Sequence, residues 1–171
     1  MIRRIFIALS LLLLTACQSI PEGVTPVTEF DEQRYLGKWY EIARLDHSFE
    51  RDLSNVTAEY SLREDGGIRV LNRGYKAEDK EWSEAEGRAY FVGNRDTAHL
   101  EVSFFGPFFS SYVVFELGEE YDYAFVSGYN TDYLWLLART PTVSDQVMAD
   151  FLALAEEKGF NFNEIIFPVQ Q

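Results

Sequence analysis

Cysteine, histidine and basic residues are all scarce in this chain. It has one cysteine, two histidines and 15 Lys plus Arg against 28 Asp plus Glu, in 171 residues. A single cysteine excludes an intrachain disulfide. Two histidines, His47 in a polar stretch and His99 on a polar strand face, give no metal-ligand spacing, and no phosphate-type glycine loop is present. No metal or cofactor is therefore expected. The formal charge of −13 repels nucleic acid and anionic membrane surfaces, which removes nucleic acid from the partners considered. Acid pairs such as Glu119-Glu120 and Glu156-Glu157 sit where solvent would hold them, so no catalytic constellation emerges. Long apolar runs are missing too, apart from one near the N-terminus. What the chain does have is aromatic residues, 16% of the total, mostly Phe and Tyr. That composition favours strands, and the length suits one domain with a real core.

The apolar run is Ile5 to Leu14, about ten residues, too short to span a bilayer permanently. Arg3 and Arg4 precede it and Leu14-Thr15-Ala16-Cys17 ends it. This resembles the lipobox of bacterial lipoproteins, with residues 1–16 as the signal peptide. A plain secretory leader with an incidental cysteine is the alternative; the position of the sole cysteine at the cleavage point favours the lipobox. The resemblance implies that Cys17 is diacylglycerylated and then acylated on its new amine, palmitate being the expected chain. Such multiple acylation anchors stably. Gln18 follows, not an aspartate, which by the same resemblance sends the protein to the outer membrane, facing the periplasm. Loss of Arg3 and Arg4 leaves 13 basic against 28 acidic residues, a charge of −15. Residues 17–29 carry Pro21, Gly23 and Pro26 and read as a lipidated linker, extended at most to roughly 40 Å at about 3.4 Å per residue.

From residue 30 to 171 the pattern is one of strands. Gly37-Lys38-Trp39-Tyr40-Glu41-Ile42-Ala43-Arg44 opens it, with a glycine for a tight entry and a tryptophan able to plug a barrel. Clean alternation follows from Val56 to Leu62 and from Ile68 to Tyr75, around Asp65-Gly66-Gly67. It recurs over Glu84–Phe91, His99–Phe104, Ser111–Leu117, Tyr121–Gly128 and Tyr133–Arg139. Eight strands joined by hairpins, each with one apolar face, predict an eight-stranded antiparallel up-and-down β-barrel. The last strand is apolar on both faces, so something must cover it. Ser144 as N-cap, the stripe Val147, Met148, Phe151, Leu152, Leu154 and Ala155, and a stop at Lys158-Gly159 predict a C-terminal helix packed outside. Ile165 to Phe167 reads as a short edge strand.

These features resemble the lipocalin family across essentially Phe30 to Phe167. Gly37-x-Trp39, Arg139 closing the last strand, the Phe104-Phe105-Gly106-Pro107-Phe108 loop and the lipobox together look most like its bacterial outer-membrane members. The resemblance implies that Arg139 lies over Trp39 at the closed end, a cation–π contact of about 0.5–2 kcal/mol. Thr131-Asp132-Tyr133 imitates a second family signature in the wrong place; the matching position is Glu119-Glu120-Tyr121, which departs in its first two residues. The fold that the resemblance implies could place a haem against His47 or His99, and their spacing gives that no support.

Strand parity, with family resemblance for the last three strands, predicts an inward set of Val56, Ala58, Tyr60, Ile68, Val70, Ala89, Leu100, Val102, Phe104, Tyr112, Val114, Phe125, Tyr133, Trp135 and Leu137. Asn72 adds a polar contact, and small residues at Ala58, Gly87 and Ala89 are expected to leave room. Glu41 shares Trp39's parity and points inward, where a carboxylate needs a partner: a tyrosine, an arginine or a ligand head group. The wall suits one acyl chain, so the expected ligand is a fatty acid or lysophospholipid, carried for storage or transport in envelope maintenance. The alternatives are an enzyme acting on a lipid or isoprenoid, and a structural protein with a filled lumen. At the mouth, Phe105, Pro107, Phe108 and Phe109 are expected to form an apolar rim, open to membrane contact, ligand guidance, a homodimer or simple packing on the neighbouring loop.

Overall fold

Alternating strands with hairpin connections close on themselves here. A computed structural model describes residues 19–171. Eight antiparallel strands form a closed barrel in sequence order: β1 (Gly37–Arg44), β2 (Leu53–Leu62), β3 (Ile68–Lys76), β4 (Glu81–Phe91), β5 (His99–Ser103), β6 (Ser110–Leu117), β7 (Tyr123–Ser127) and β8 (Leu134–Ala138). A single turn of helix, α1 (Glu32–Tyr35), precedes β1 and caps one end, and α2 (Asp145–Glu157) packs outside. The side chain of Ser144 accepts from the amide of Val147 at the start of α2, and Gly159 ends it at φ +75.

Two apolar clusters result. The inner one runs from Phe30, Tyr35 and Trp39 through Val70, Ala89 and Leu100 to Val126 and Leu137. The outer one places Phe151 and Ala155 of α2 against Val113, Phe125, Leu134, Leu136 and Ala138. The helix thus covers the outer faces of β6, β7, β8 and β1, which explains why these strands are apolar on both sides.

Three departures from simple alternation matter. In β1 the register against β8 slips between Glu41 and Ala43, so Ile42 is the extra residue of a bulge. In β6 a slip between Val114 and Glu116 makes Phe115 the extra residue. In β2 the register against β3 slips between Ser54 and Thr57, with Asn55 at φ +51. Pairing of β1 with β2 ends at Tyr40 and Thr57. Beyond that point the segment after α2 fills the seam. Arg44 and Ile166 exchange backbone hydrogen bonds, the amide of Asn55 donates to the carbonyl of Val169, and the Gln170 side-chain amide donates to the carbonyls of Glu41 and Val56.

The stretch before the barrel is not a free linker. From Ser19 it lies along the outer wall: Val24 is buried in the outer cluster, Val27 bonds to Val114 and Ala98, and Phe30 enters the inner cluster. Its apolar residues, spaced three apart, find partners there. A composition reading of Pro, Gly and small polar residues does not register them.

Candidate functional site: the barrel interior

The interior has a closed floor and a guarded mouth. At the floor, the indole N–H of Trp39 donates to the carbonyl of Tyr35 at 2.8 Å. Arg139 lies over the Trp39 ring, its guanidinium carbon 3.9 Å from the centroid. The same guanidinium donates to the carbonyls of Arg34, Tyr35, Lys38 and Tyr121. Gly37, at φ +94, lets Arg139 approach; a Cβ there would stand 3.4 Å from its Nη1. Above this plug, the hydroxyl of Tyr112 is bonded to those of Tyr35 (2.7 Å) and Tyr60 (2.8 Å). Burial pushes all three phenols above the usual tyrosine range.

The wall above the floor combines apolar and polar parts. Ala58, Val70, Ala89, Val102, Phe104, Val114 and Trp135 belong to the inner cluster or pack on it. Val102, Phe104, Tyr112, Trp135 and Asn72 are only half-buried. Val102, Phe104, Tyr112 and Trp135 pack on the inner cluster, which turns them toward the barrel interior. Val56 is buried and lies at the β2 slip.

Three expected positions differ. Phe125 points outward, in contact with Phe151 of α2 and Phe115, and its neighbours Ala124 and Val126 face the interior instead. Hydropathy cannot choose between faces on a strand apolar on both; the helix takes the larger side chain. Tyr133 lies before β8 in the mouth loop, stacked on His47 and Trp135. The space at Gly87 is taken by the Phe104 ring, 2.9 Å from where a Cβ would stand, so that glycine accommodates a wall residue and not a ligand.

At the mouth the sequence reading missed a charged cluster. The Ile42 bulge resets parity, so Glu41 and Arg44 both face inward, opposite Leu137 and Trp135. Arg44 is 2% exposed and Glu41 3%. Arg44 Nη1 donates to Glu41 at 3.0 Å and Nη2 to the backbone carbonyl of Glu50 at 2.6 Å. Glu50 descends from the β1–β2 loop, and its carboxylate accepts from the Trp135 indole at 3.1 Å. His47 stacks on Tyr133 and Phe49 and lies tilted against Trp135. Burial, and then the neighbouring Glu50, hold Glu41 well above the carboxylate range; burial also raises Glu50. One guanidinium thus faces two buried acids, both raised. Burial, and then Arg44, push His47 down to about 4. The signal available in the sequence was Glu41 itself: an inward carboxylate requires a cation, and Arg44 is the nearest arginine along the chain.

A cleft of about 210 Å³ opens outside this cluster, lined by Asp46, His47, Ser48, Phe49, Asp132 and Tyr133. A larger hollow, about 340 Å³, lies between Glu22-Gly23 and the end of α2. Its one ammonium, on Lys158, is already bonded to the Gly23 carbonyl, so nothing there converges on a ligand. His99 is turned to Ser111 at 3.1 Å. Among the described residues no group of three His, Cys, Asp or Glu is placed to hold a metal ion. Cys17 lies outside the described residues.

Residues 30–170 match the family model described as "Lipocalin-like domain". The chain belongs to the lipocalin family. It is 59% identical over 170 residues to the outer membrane lipoprotein Blc of Vibrio cholerae, covering 99% of each chain. It is 53% identical to the protein of that name from Escherichia coli K12, covering 93% of this chain and 90% of that one. Among solved structures, insecticyanin of the tobacco hornworm aligns with a TM-score of 0.69 at 18% identity, over 88% of this chain and 86% of its own. Lobster apocrustacyanin A1 aligns at 0.66 and 20%, over 90% and 94%. These last two share the fold.

Proposed function

We propose that this lipocalin is a carrier for a single-chain lipid, a fatty acid or lysophospholipid, anchored in the outer membrane through acylated Cys17 and facing the periplasm. The observation that carries the reading is the half-exposed inward wall of Val102, Phe104, Tyr112 and Trp135 above a sealed aromatic floor. Apolar surface left open inside a barrel is stabilised by an apolar guest, at about 0.8 kcal/mol per buried CH₂. An eight-stranded barrel holds one small ligand, and the Phe104 ring over Gly87 narrows this one further, which favours one chain over two. Lumen hydroxyls and Asn72 supply the few polar contacts that orient a ligand. The names of the relatives, outer membrane lipoproteins, support the anchor.

Ligand titration followed by Trp135 fluorescence tests this. Palmitate and lysophosphatidylethanolamine should perturb the emission at micromolar or lower concentration, and Trp135→Ala should weaken both. Tighter binding of diacyl phospholipid, or no response to any amphiphile, overturns the ligand assignment. Lipid recovered unchanged after incubation supports a carrier; recovered product would make the barrel an enzyme acting on a lipid or isoprenoid. Cys17→Ser should release the protein from outer membranes, and full retention would overturn the anchor.

A further inference from the structure

The path of the N-terminal segment fixes where an anchor leaves the molecule. Ser19 Oγ donates to the carbonyl of Tyr129 at 3.0 Å, and Tyr129 belongs to the β7–β8 loop at the mouth. From there the segment runs toward the floor, held by the Lys158–Gly23 bond, the Val27 backbone bonds and the buried Phe30. Cys17 stands two residues before Ser19, at most about 7 Å away between Cα atoms. The described chain therefore begins beside the mouth. A long flexible tether would leave the orientation of the barrel free; a segment pinned at the rim does not.

The same end carries exposed apolar side chains. Phe105 and Phe108 on the β5–β6 hairpin are 80% and 72% exposed, Phe49 on the β1–β2 loop 60%, and Trp82 beside the β3–β4 hairpin 51%. Residues 104–109 contain no charge. Their neighbour Phe109 is different: it packs on the outer wall, with Tyr90 at 6.1 Å and the Arg88 guanidinium at 5.5 Å from its ring. The hairpin thus has a partner available for one phenylalanine and leaves two in solvent. At the floor end the loops hold Arg63, Glu64, Asp65, Arg95, Asp96, Glu119 and Glu120, and the large exposed apolar residue there is Leu62.

We propose that the mouth docks on a lipid bilayer surface, Phe105 and Phe108 entering the interfacial layer and Phe49 and Trp82 resting at head-group level. The inference rests on the acylation of Cys17. The occupant is a membrane because the chain that leaves the structure at the rim is the one that carries the anchor. Aromatic residues suit that layer. The net negative charge opposes approach to an anionic leaflet, so the anchor provides proximity and the uncharged hairpin provides contact. A lipid then passes between bilayer and barrel without crossing water.

The test uses the acylated mature protein in phosphatidylcholine vesicles. Because Cys17 is the sole cysteine and is blocked by acylation, one added cysteine carries a fluorescent label cleanly. Glu78→Cys places it at the mouth and Glu119→Cys at the floor, with the same change of charge and every apolar rim residue kept. Brominated phosphatidylcholine should quench the label at position 78 several-fold more than at 119, and Phe105→Asp with Phe108→Asp should abolish the difference while the protein stays in the vesicles. Equal quenching, or stronger quenching at 119, overturns docking and leaves the anchor standing. Protein that never partitions into vesicles overturns the anchor, and docking with it. A label at 78 that is shielded from aqueous iodide in a concentration-dependent way, without lipid quenching, replaces the membrane by a second copy of the chain.

Discussion

The two ends of the barrel are built from opposite materials. The floor is aromatic: an indole, three phenols and one guanidinium whose three nitrogens each donate to a carbonyl. The mouth is ionic: a buried arginine between two acids, with a histidine tilted against the tryptophan whose indole donates to the second acid. Arg139 is held by neutral partners and satisfied at every turn. Arg44 is not; its Nε has no hydrogen-bond partner and stands 3.7 Å from Glu50. A plug whose one cation rests on neutral partners and has no partner that titrates near neutral pH is stable at any ordinary pH. A buried set of charges is stable only while its protons are correctly placed. The difference assigns permanence to one end and adjustability to the other.

The strongest break of this contrast is at the floor. Trp39→Ala removes a fully buried indole and the surface on which Arg139 rests, and should cost about 3–5 kcal/mol in denaturant unfolding. Next is Arg44→Leu, which leaves two buried acids without a cation and should cost about 3 kcal/mol at neutral pH. That loss should shrink in acid, because Glu41 and Glu50, with values already raised, then accept protons. A loss independent of pH would show that packing of the Arg44 stem, not its charge, is what the mouth needs. Arg139→Ala should cost about 1–3 kcal/mol through the lost stacking. It should leave lipid affinity nearly unchanged; abolished binding with an unchanged melting temperature would place Arg139 in the ligand site.

The smallest effect sharpens the contrast. His47 is pushed down from 6.5 to about 4, first by burial and then by Arg44, with Asp46 opposing. The unfolded chain binds more protons than the native one between those values, so stability contributed by neutral His47 is present above about 6.5 and lost as pH falls toward 4. Glu41 and Glu50 carry the opposite sign: their raised values favour the fold in acid, and that advantage is lost as pH rises through them. Glu50 also stands 3.7 Å from His47 Nε2. His47→Gln should therefore melt with a shallower decline than the parent between pH 6.5 and 4, the difference between the two curves isolating the imidazole.

The floor was legible in the sequence and the mouth was not. Period-two alternation, hairpin turns and a helix with its cap are local signals, and they predict a barrel with a covering helix. Trp39, Gly37 and Arg139 are placed together at one end by the resemblance to the lipocalin family. Arg44 became an interior residue through the Ile42 bulge, and an extra residue in a strand leaves no mark in hydropathy. Phe125 was misplaced because β7 is apolar on both faces, so only the position of α2 decides its direction. The order of the stretch from Ser19 to Phe30 depends on contacts with residues far along the chain, the Val27 amide donating to the Val114 carbonyl of β6 among them, which no local pattern contains.

The seam between β1 and β2 carries a consequence for how the barrel assembles. Hairpin neighbours can zip as soon as both strands exist, but the mouth half of this seam waits for Ile166 to Gln170, and the Gln170–Glu41 bond spans 129 residues. Contacts of such long range pay their loop-closure entropy before they return anything, and they slow folding accordingly. Sealing the seam is therefore a late kinetic step, distinct from closing the sheet. Hydrogen exchange can time it alone, because the amides of Arg44 and Asn55 donate to carbonyls of this tail, at 3.0 and 2.7 Å. They should gain protection after the amides of the β2–β3 and β3–β4 ladders.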